Sequence, residues 1–145
     1  MTFQQKANSF IQPGVTDYKE IKTFFQPYKR DTAKLSNALN IAIAKKAVVI
    51  QSFLYNELGT FYRDISDYKK SKEYHSKALL LAKQTKNIYL EIAAYNMLGV
   101  VYRRIDSIKP AIDNHQNALN LVNSLKNKDD EILKSQAISL NSLGN

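Results

Sequence analysis

Apolar and small residues recur at helical spacing along most of this chain. Tyr55, Leu58, Gly59 and Tyr62 fall at i, i+3, i+4 and i+7, and Tyr68, Ser71, His75, Ala78 and Ala82 at i, i+3, i+7, i+10 and i+14. Each set occupies one face of a helix. No stretch of strict alternation competes for a strand. Polar breaks, Asp64-Ile65-Ser66-Asp67 and Asp106-Ser107, separate the sets and supply turn and N-cap side chains. Pro110 stands in a first helical turn, where its missing donor costs little. The pattern predicts helices near 17–26, 28–45, 48–64, 67–85, 88–104, 107–125 and 131–143. The boundary at Lys45–Ala47 is the least marked, since it has no glycine or proline, and the pattern also allows two nearly continuous helices there.

The helical units repeat. Residues 55–63, Tyr-Asn-Glu-Leu-Gly-Thr-Phe-Tyr-Arg, return at 95–103 as Tyr-Asn-Met-Leu-Gly-Val-Val-Tyr-Arg, with six of nine positions identical at an offset of 40. The match runs on through Ile65/Ile105, Lys69/Lys109, His75/His115, Ala78/Ala118, Leu79/Leu119 and Leu81/Leu121. A third copy begins at Leu140-Asn141-Ser142-Leu143-Gly144, displaced by 45, and the extra residues fall in the polar stretch Lys126–Glu131, which reads as a longer loop. Ala38-Leu39 stands 40 before Ala78-Leu79, so half of an earlier copy is present as well. Each copy is two antiparallel helices joined by a short turn. Gly59 and Gly99 sit mid-helix, at a cost of about 1 kcal/mol relative to Ala. The expected compensation is close approach of the second helix where the small Ala78 and Ala118 recur.

The arrangement of a large residue, Leu-Gly, Tyr, a small residue and Ala resembles the tetratricopeptide repeat over roughly residues 28–145. The period is 40 residues rather than 34, and the proline that often closes a copy is absent. The resemblance implies an all-α, right-handed superhelical array of antiparallel helix pairs. The expected organisation is a single unit over 1–145, with a degenerate N-terminal repeat or cap at 1–47, repeats at 48–87 and 88–130, and the first helix of a further, incomplete repeat at 131–145. Leu140 and Leu143 keep the interior pattern where a terminal helix would want a polar outer face. The expectation is a longer array, or a last helix that packs on another copy of the chain. The resemblance also implies the repeat region of a bacterial signalling protein, where such arrays precede a kinase or DNA-binding module; the lead-in Asp31-Thr32-Ala33-Lys34 is similar to that context.

Composition narrows the chemistry. The 145 residues suffice for one domain, and there is no cysteine, which removes disulfides, thiolate zinc sites and cysteine nucleophiles. The four glycines stand far apart, so no phosphate-cradling loop can be written. No apolar run reaches the length of a signal peptide or a membrane span, and a soluble, cytoplasmic chain is expected. Lys and Arg number 21 against 13 Asp and Glu, for a net charge of +8. That balance favours acidic partners: an acidic peptide, nucleic acid or an anionic surface.

Asn56, Thr60 and Arg63 share one face of a first helix, and Asn96, Val100 and Arg103 share the same face in the next copy. Asn141 opens the third set, and Arg104 adds a further cation. In tetratricopeptide repeats the first helices line a concave groove, and the resemblance implies that repeated asparagines there hold a peptide backbone. An amide can donate and accept at once, and arginine can take carboxylates bidentately. The expected peptide site is Asn56, Thr60, Arg63, Asn96, Arg103, Arg104 and Asn141, in a positive groove, with the asparagines solvent-accessible; the alternative for the asparagines is hydrogen bonding within the array. His75 and His115 occupy one repeat position and fall on the buried stripe. On adjacent helices they stand on the order of 10 Å apart, too far for one zinc with ligands at ~2 Å, and they read as interior rings. Asp129-Asp130-Glu131 lacks the spaced ligands and glycine of a calcium loop and reads as a helix start. Asp64 and Asp67 read as turn and cap residues. Lys69, Lys70 and Lys72 read as a solvated face rather than a nucleic-acid patch.

Three functions remain in play: a protein-interaction module that binds a peptide in its groove, a basic nucleic-acid binder, and a structural or oligomerising spacer. An enzyme is not expected, because no nucleophile, base and orienting group can be assembled, and no cofactor or metal is expected.

Overall fold

The structure, a computed structural model, describes residues 1–144; Asn145, the last residue of the expected incomplete repeat, lies outside them. Every regular element among the described residues is helical: α1 (Phe3–Phe10), α2 (Tyr18–Phe25), a 3-10 turn (Gln26–Tyr28), α3 (Thr32–Lys45), α4 (Val48–Asp64), α5 (Tyr68–Thr85), α6 (Ile88–Arg104), α7 (Ile108–Asn123) and α8 (Asp130–Ser142).

Side-chain caps set most of the starts. Asp17, Asp31, Asp67, Asn87 and Asp129 each stand at an N-cap and accept from backbone N–H groups of the first turn. Asp31 is why α3 begins at Thr32 rather than near 28, with Pro27 held in the 3-10 turn ahead of it. The region around Lys45–Ala47 is a sharp break. Lys46 takes the left-handed conformation at φ 60°, and the Ala47 N–H returns to the Ala42 carbonyl at 2.9 Å. Lys86 does the same one repeat later, at φ 55°, with Asn87 N–H on the Ala82 carbonyl. A helix outside the expected set, α1, opens with a reciprocal Thr2–Gln5 capping box. Its Ala7 and the following Ile11 are fully buried, and α1 packs on α3.

From α3 onward each helix packs on the next. In addition α4 packs on α6 and α6 on α8, while no comparable packing joins α3 to α5 or α5 to α7 among the described residues. The chain therefore curls with α4, α6 and α8 inside and α3, α5 and α7 outside. Gly59 and Gly99 each mark a close approach of the two layers, against histidines rather than the alanines. A Cβ on Gly59 would stand 2.7 Å from the His75 ring, and one on Gly99 would stand 2.5 Å from the His115 ring. The Ser71 hydroxyl donates to the Gly59 carbonyl at 2.7 Å, while Ala78 lies opposite Ser52, whose hydroxyl donates to its carbonyl at 2.8 Å. The histidine ring, flat and large, fills the space that the missing side chain leaves.

The N-terminal segment crosses the inner layer. Ile21 and Phe25 of α2 are buried, and Phe25 stacks on Phe53 of α4 at 5.8 Å. Tyr18 stacks on Tyr89 of α6 at 5.3 Å. Lys19 then pairs with Asp129 at 2.8 Å and Lys22 with Glu131 at 2.9 Å, both at the start of α8. One short helix thus spans α4, α6 and α8 along their N-terminal ends.

Candidate functional site

Between α2 and the inner faces of α4, α6 and α8 lies a cleft of about 240 Å³. Its floor is apolar: Phe53 from α4, with Leu90, Ala93 and Met97 from α6. Tyr18 and Lys22 of α2 form one wall, and Lys134, Ser135 and Ile138 of α8 form the other. Asn56, Glu57, Thr60 and Asn96 bring polar atoms to it.

The two asparagines are not freely solvent-accessible, contrary to the expectation from sequence. Asn56 is 7% exposed and Asn96 1%. Each has turned its oxygen inward to a histidine of the partner helix: Asn56 Oδ1 lies 2.9 Å from His75 Nδ1, and Asn96 Oδ1 2.9 Å from His115 Nδ1. For Asn96 the orientation is fixed by α8, because its Nδ2 donates to the Ser135 carbonyl at 3.1 Å and the Ser139 hydroxyl lies 2.9 Å from its Oδ1. His115 must then donate from Nδ1, and the repeat carries the same arrangement to His75. Burial holds both rings neutral, with the Arg63 and Arg103 charges acting in the same direction. His75 is pushed down to about 3 and His115 is lowered.

The repeat breaks at the amide nitrogen. Nδ2 of Asn56 has no hydrogen-bond partner. The offset of 45 between α6 and α8 sets Ala94 where Ser139 stands one helix later. So α6 offers the Asn56 oxygen no hydroxyl like the one Ser139 gives Asn96, and the Asn56 amide nitrogen stays buried without a partner beside the cleft.

Glu57 stands beside it with neither an ion pair nor a hydrogen bond among the described residues. Burial raises its pKa, opposed by the charges of Lys22 and Lys29. Lys22 is engaged elsewhere, donating to both carboxylate oxygens of Glu131 at 2.9 Å. The cleft is accordingly not the positive groove expected from the net charge, since Lys22 and Lys134 face Glu57 and Glu131 across it. Tyr18 is held as the neutral phenol, its pKa raised by burial and by the charges of Glu131 and Glu57.

The remaining candidates divide. Thr60 lines the cleft, with its hydroxyl bonded to the Asn56 carbonyl at 3.1 Å. Arg63 lies just beyond, 3.7 Å from Met97 Sδ and 3.3 Å from the Asp64 carboxylate. Arg103 reaches along the same row to the Ser142 carbonyl at the end of α8, 3.1 Å away. Arg104 departs from the set, because it sits beside the Tyr68 hydroxyl at the start of α5, whose pKa Ser66 and Arg104 lower. Asn141 is exposed on α8 and does not line the cleft. Tyr18, Lys22, Glu57 and Met97 were not candidates from sequence. Glu57 and Met97 are one of three mismatched pairs within the repeated motif, a signal in plain view. Tyr18 and Lys22 come from a segment outside the repeat, where no periodicity points to the groove.

Lys70, Lys72, Lys77 and Lys83 of α5 lie over tyrosines rather than forming a bare basic strip. Lys70 sits 4.8 Å from the Tyr62 ring, Lys72 5.7 Å from Tyr102 and Lys83 5.3 Å from Tyr95. No helix among the described residues is long and apolar enough to cross a membrane.

Residues 51–124 match the tetratricopeptide repeat family. A comparison with curated proteins gives no match.

Proposed function

The chain belongs to the tetratricopeptide repeat family, whose arrays are typically non-catalytic protein–protein interaction modules, and we propose that this one takes a peptide segment of its partner across α4, α6 and α8, seated in the cleft that α2 closes. The observation that carries this reading is the cleft itself, where an apolar floor of Phe53, Leu90, Ala93 and Met97 is edged by polar groups on three successive inner helices. Such a surface suits an extended or helical segment that buries side chains while its backbone meets amides and hydroxyls. Acidic residues on the same segment would meet Arg63 and Arg103, which follow the cleft along the C-terminal ends of α4 and α6 and give direction to a module of net charge +8. The 40-residue period supports, as part of this proposal, a role within a larger signalling or scaffold protein.

The test is selection of binders from a random 12-residue peptide library, followed by measurement on wild type and on Ala93→Trp. The indole would fill the cleft from its floor. Binding is expected to fall by about tenfold or more, equivalent to about 1.4 kcal/mol, with the helical circular dichroism unchanged. Selected peptides that bind Ala93→Trp as tightly as wild type would overturn the reading.

A further inference from the structure

Two polar groups on the cleft lack partners, and they ask for different things. Glu57 is a carboxylate with no donor, and Asn56 Nδ2 is a donor with no acceptor, on a side chain that is 7% exposed. Both belong to α4 and are adjacent in sequence. Of the two cations whose charge reaches Glu57, Lys22 is bound through both oxygens of Glu131, to which Lys134 also leans at 3.9 Å, and Lys29 makes no ion pair with Glu57 among the described residues. The sister repeat shows what an occupied site looks like. There Met97 replaces the carboxylate, and α8 supplies the carbonyl that takes the Asn96 amide. A carboxylate carried into a partly buried cleft without a counter-ion costs stability, so a ligand that supplies the counter-ion recovers that cost on binding.

We propose that the cleft is a single-cation site: it takes one basic side chain of the partner segment, lysine or arginine, with Glu57 as counter-ion and the Asn56 amide donating to a carbonyl oxygen beside it. This rests on the interaction reading above and adds to it. The aliphatic stem of the basic residue lies on Phe53 and Met97, and its charged head reaches Glu57. The wider partner can still be acidic, because Arg63 and Arg103 lie outside the cleft. The overall charge of +8 does not decide the matter locally, since charges beyond about 8 Å are screened at physiological salt.

The experiment titrates the full chain, followed by amide and side-chain NMR, with four capped amino acids: acetyl-arginine amide, acetyl-lysine amide, acetyl-norleucine amide and acetyl-glutamate amide. The two basic probes are expected to shift the Asn56 side-chain amide and the Glu57 backbone amide, and to bind at least about tenfold more tightly than the other two. Glu57→Gln should abolish that preference while raising the melting temperature at pH 7, a combination that a purely structural Glu57 would not give. A norleucine probe that binds as well as the basic ones, or basic probes that bind Glu57→Gln undiminished, would overturn the proposal. Library-selected peptides separate the two claims. If they bind the cleft, lose affinity on Ala93→Trp, and carry no basic residue that Glu57→Gln affects, the cation site falls and the interaction reading stands. If neither probes nor peptides touch α4, α6 and α8, both fall.

Discussion

At the residue scale the repeat is built on a three-part contact: a glycine, a histidine ring over it, and an asparagine that holds the ring. The glycine makes room, since a Cβ at Gly99 would meet the His115 ring at 2.5 Å. Gly99→Ala, which in an open helix would gain about 1 kcal/mol, is therefore expected to lose roughly 1–3 kcal/mol through overpacking. Urea denaturation checks this, and His115→Ala in the same chain should recover part of the loss, because the two sites are coupled. The ring's proton is equally testable. Unfolded histidine protonates near 6.5, whereas burial keeps His75 neutral to about 3. The unfolded chain thus binds more protons in between, so the stability from the buried neutral ring is present above pH 6.5 and lost as pH falls. The slope is at most about 1.4 kcal/mol per pH unit for this ring. Nitrogen-15 spectra of both imidazoles should show the Nδ1–H tautomer, with His75 untitrated at pH 5 and His115 titrating below free histidine; midpoints near 6.5 would contradict the contact. The burial of the histidines was legible in the repeat stripe, but the role of the asparagines was not. An asparagine three residues before the glycine reads equally well as a groove residue or as an internal bond, and only the position of the partner ring decides between them.

At the element scale the helix starts were easier to read than the stops. Aspartate and asparagine caps announce α2, α3, α5, α6 and α8, whereas α3 and α5 end on lysines in the left-handed conformation, where glycine would be the usual signal. A non-glycine residue costs roughly 1–2 kcal/mol there, partly offset by the lower entropy of its unfolded chain. Lys86→Gly is expected to stabilise the protein by roughly 0.5–1 kcal/mol, measured by thermal or urea unfolding. Destabilisation would mean that the lysine side chain contributes more than its backbone costs. The helix α1 escaped a reading based on the repeat because residues 1–16 carry no copy of the motif. Its own signals were present nonetheless: Thr2 and Gln5 at capping-box spacing, and Phe3, Ala7 and Phe10 on one face.

At the scale of the whole molecule, the repeat predicts the curl of α4, α6 and α8, but not that α2 crosses it. The crossing depends on contacts of the longest sequence separation, Lys19 with Asp129 and Lys22 with Glu131, which no local pattern encodes. These pairs are partly solvent-exposed, so Glu131→Gln should cost no more than about 1 kcal/mol of global stability. It should nevertheless speed hydrogen exchange at the start of α8, where the clasp is made; unchanged exchange there would show that α2 and α8 are held by packing alone. The cleft exists because of this crossing, and so does the proposed function. Its most direct test is amide chemical-shift mapping of a library-selected peptide on the full chain. Shifts are expected to centre on Asn56, Thr60, Ala93, Met97 and Ser135, with the outer faces of α5 and α7 silent. Shifts that instead follow Lys69–Lys83 along α5, with the cleft unmoved, would contradict it.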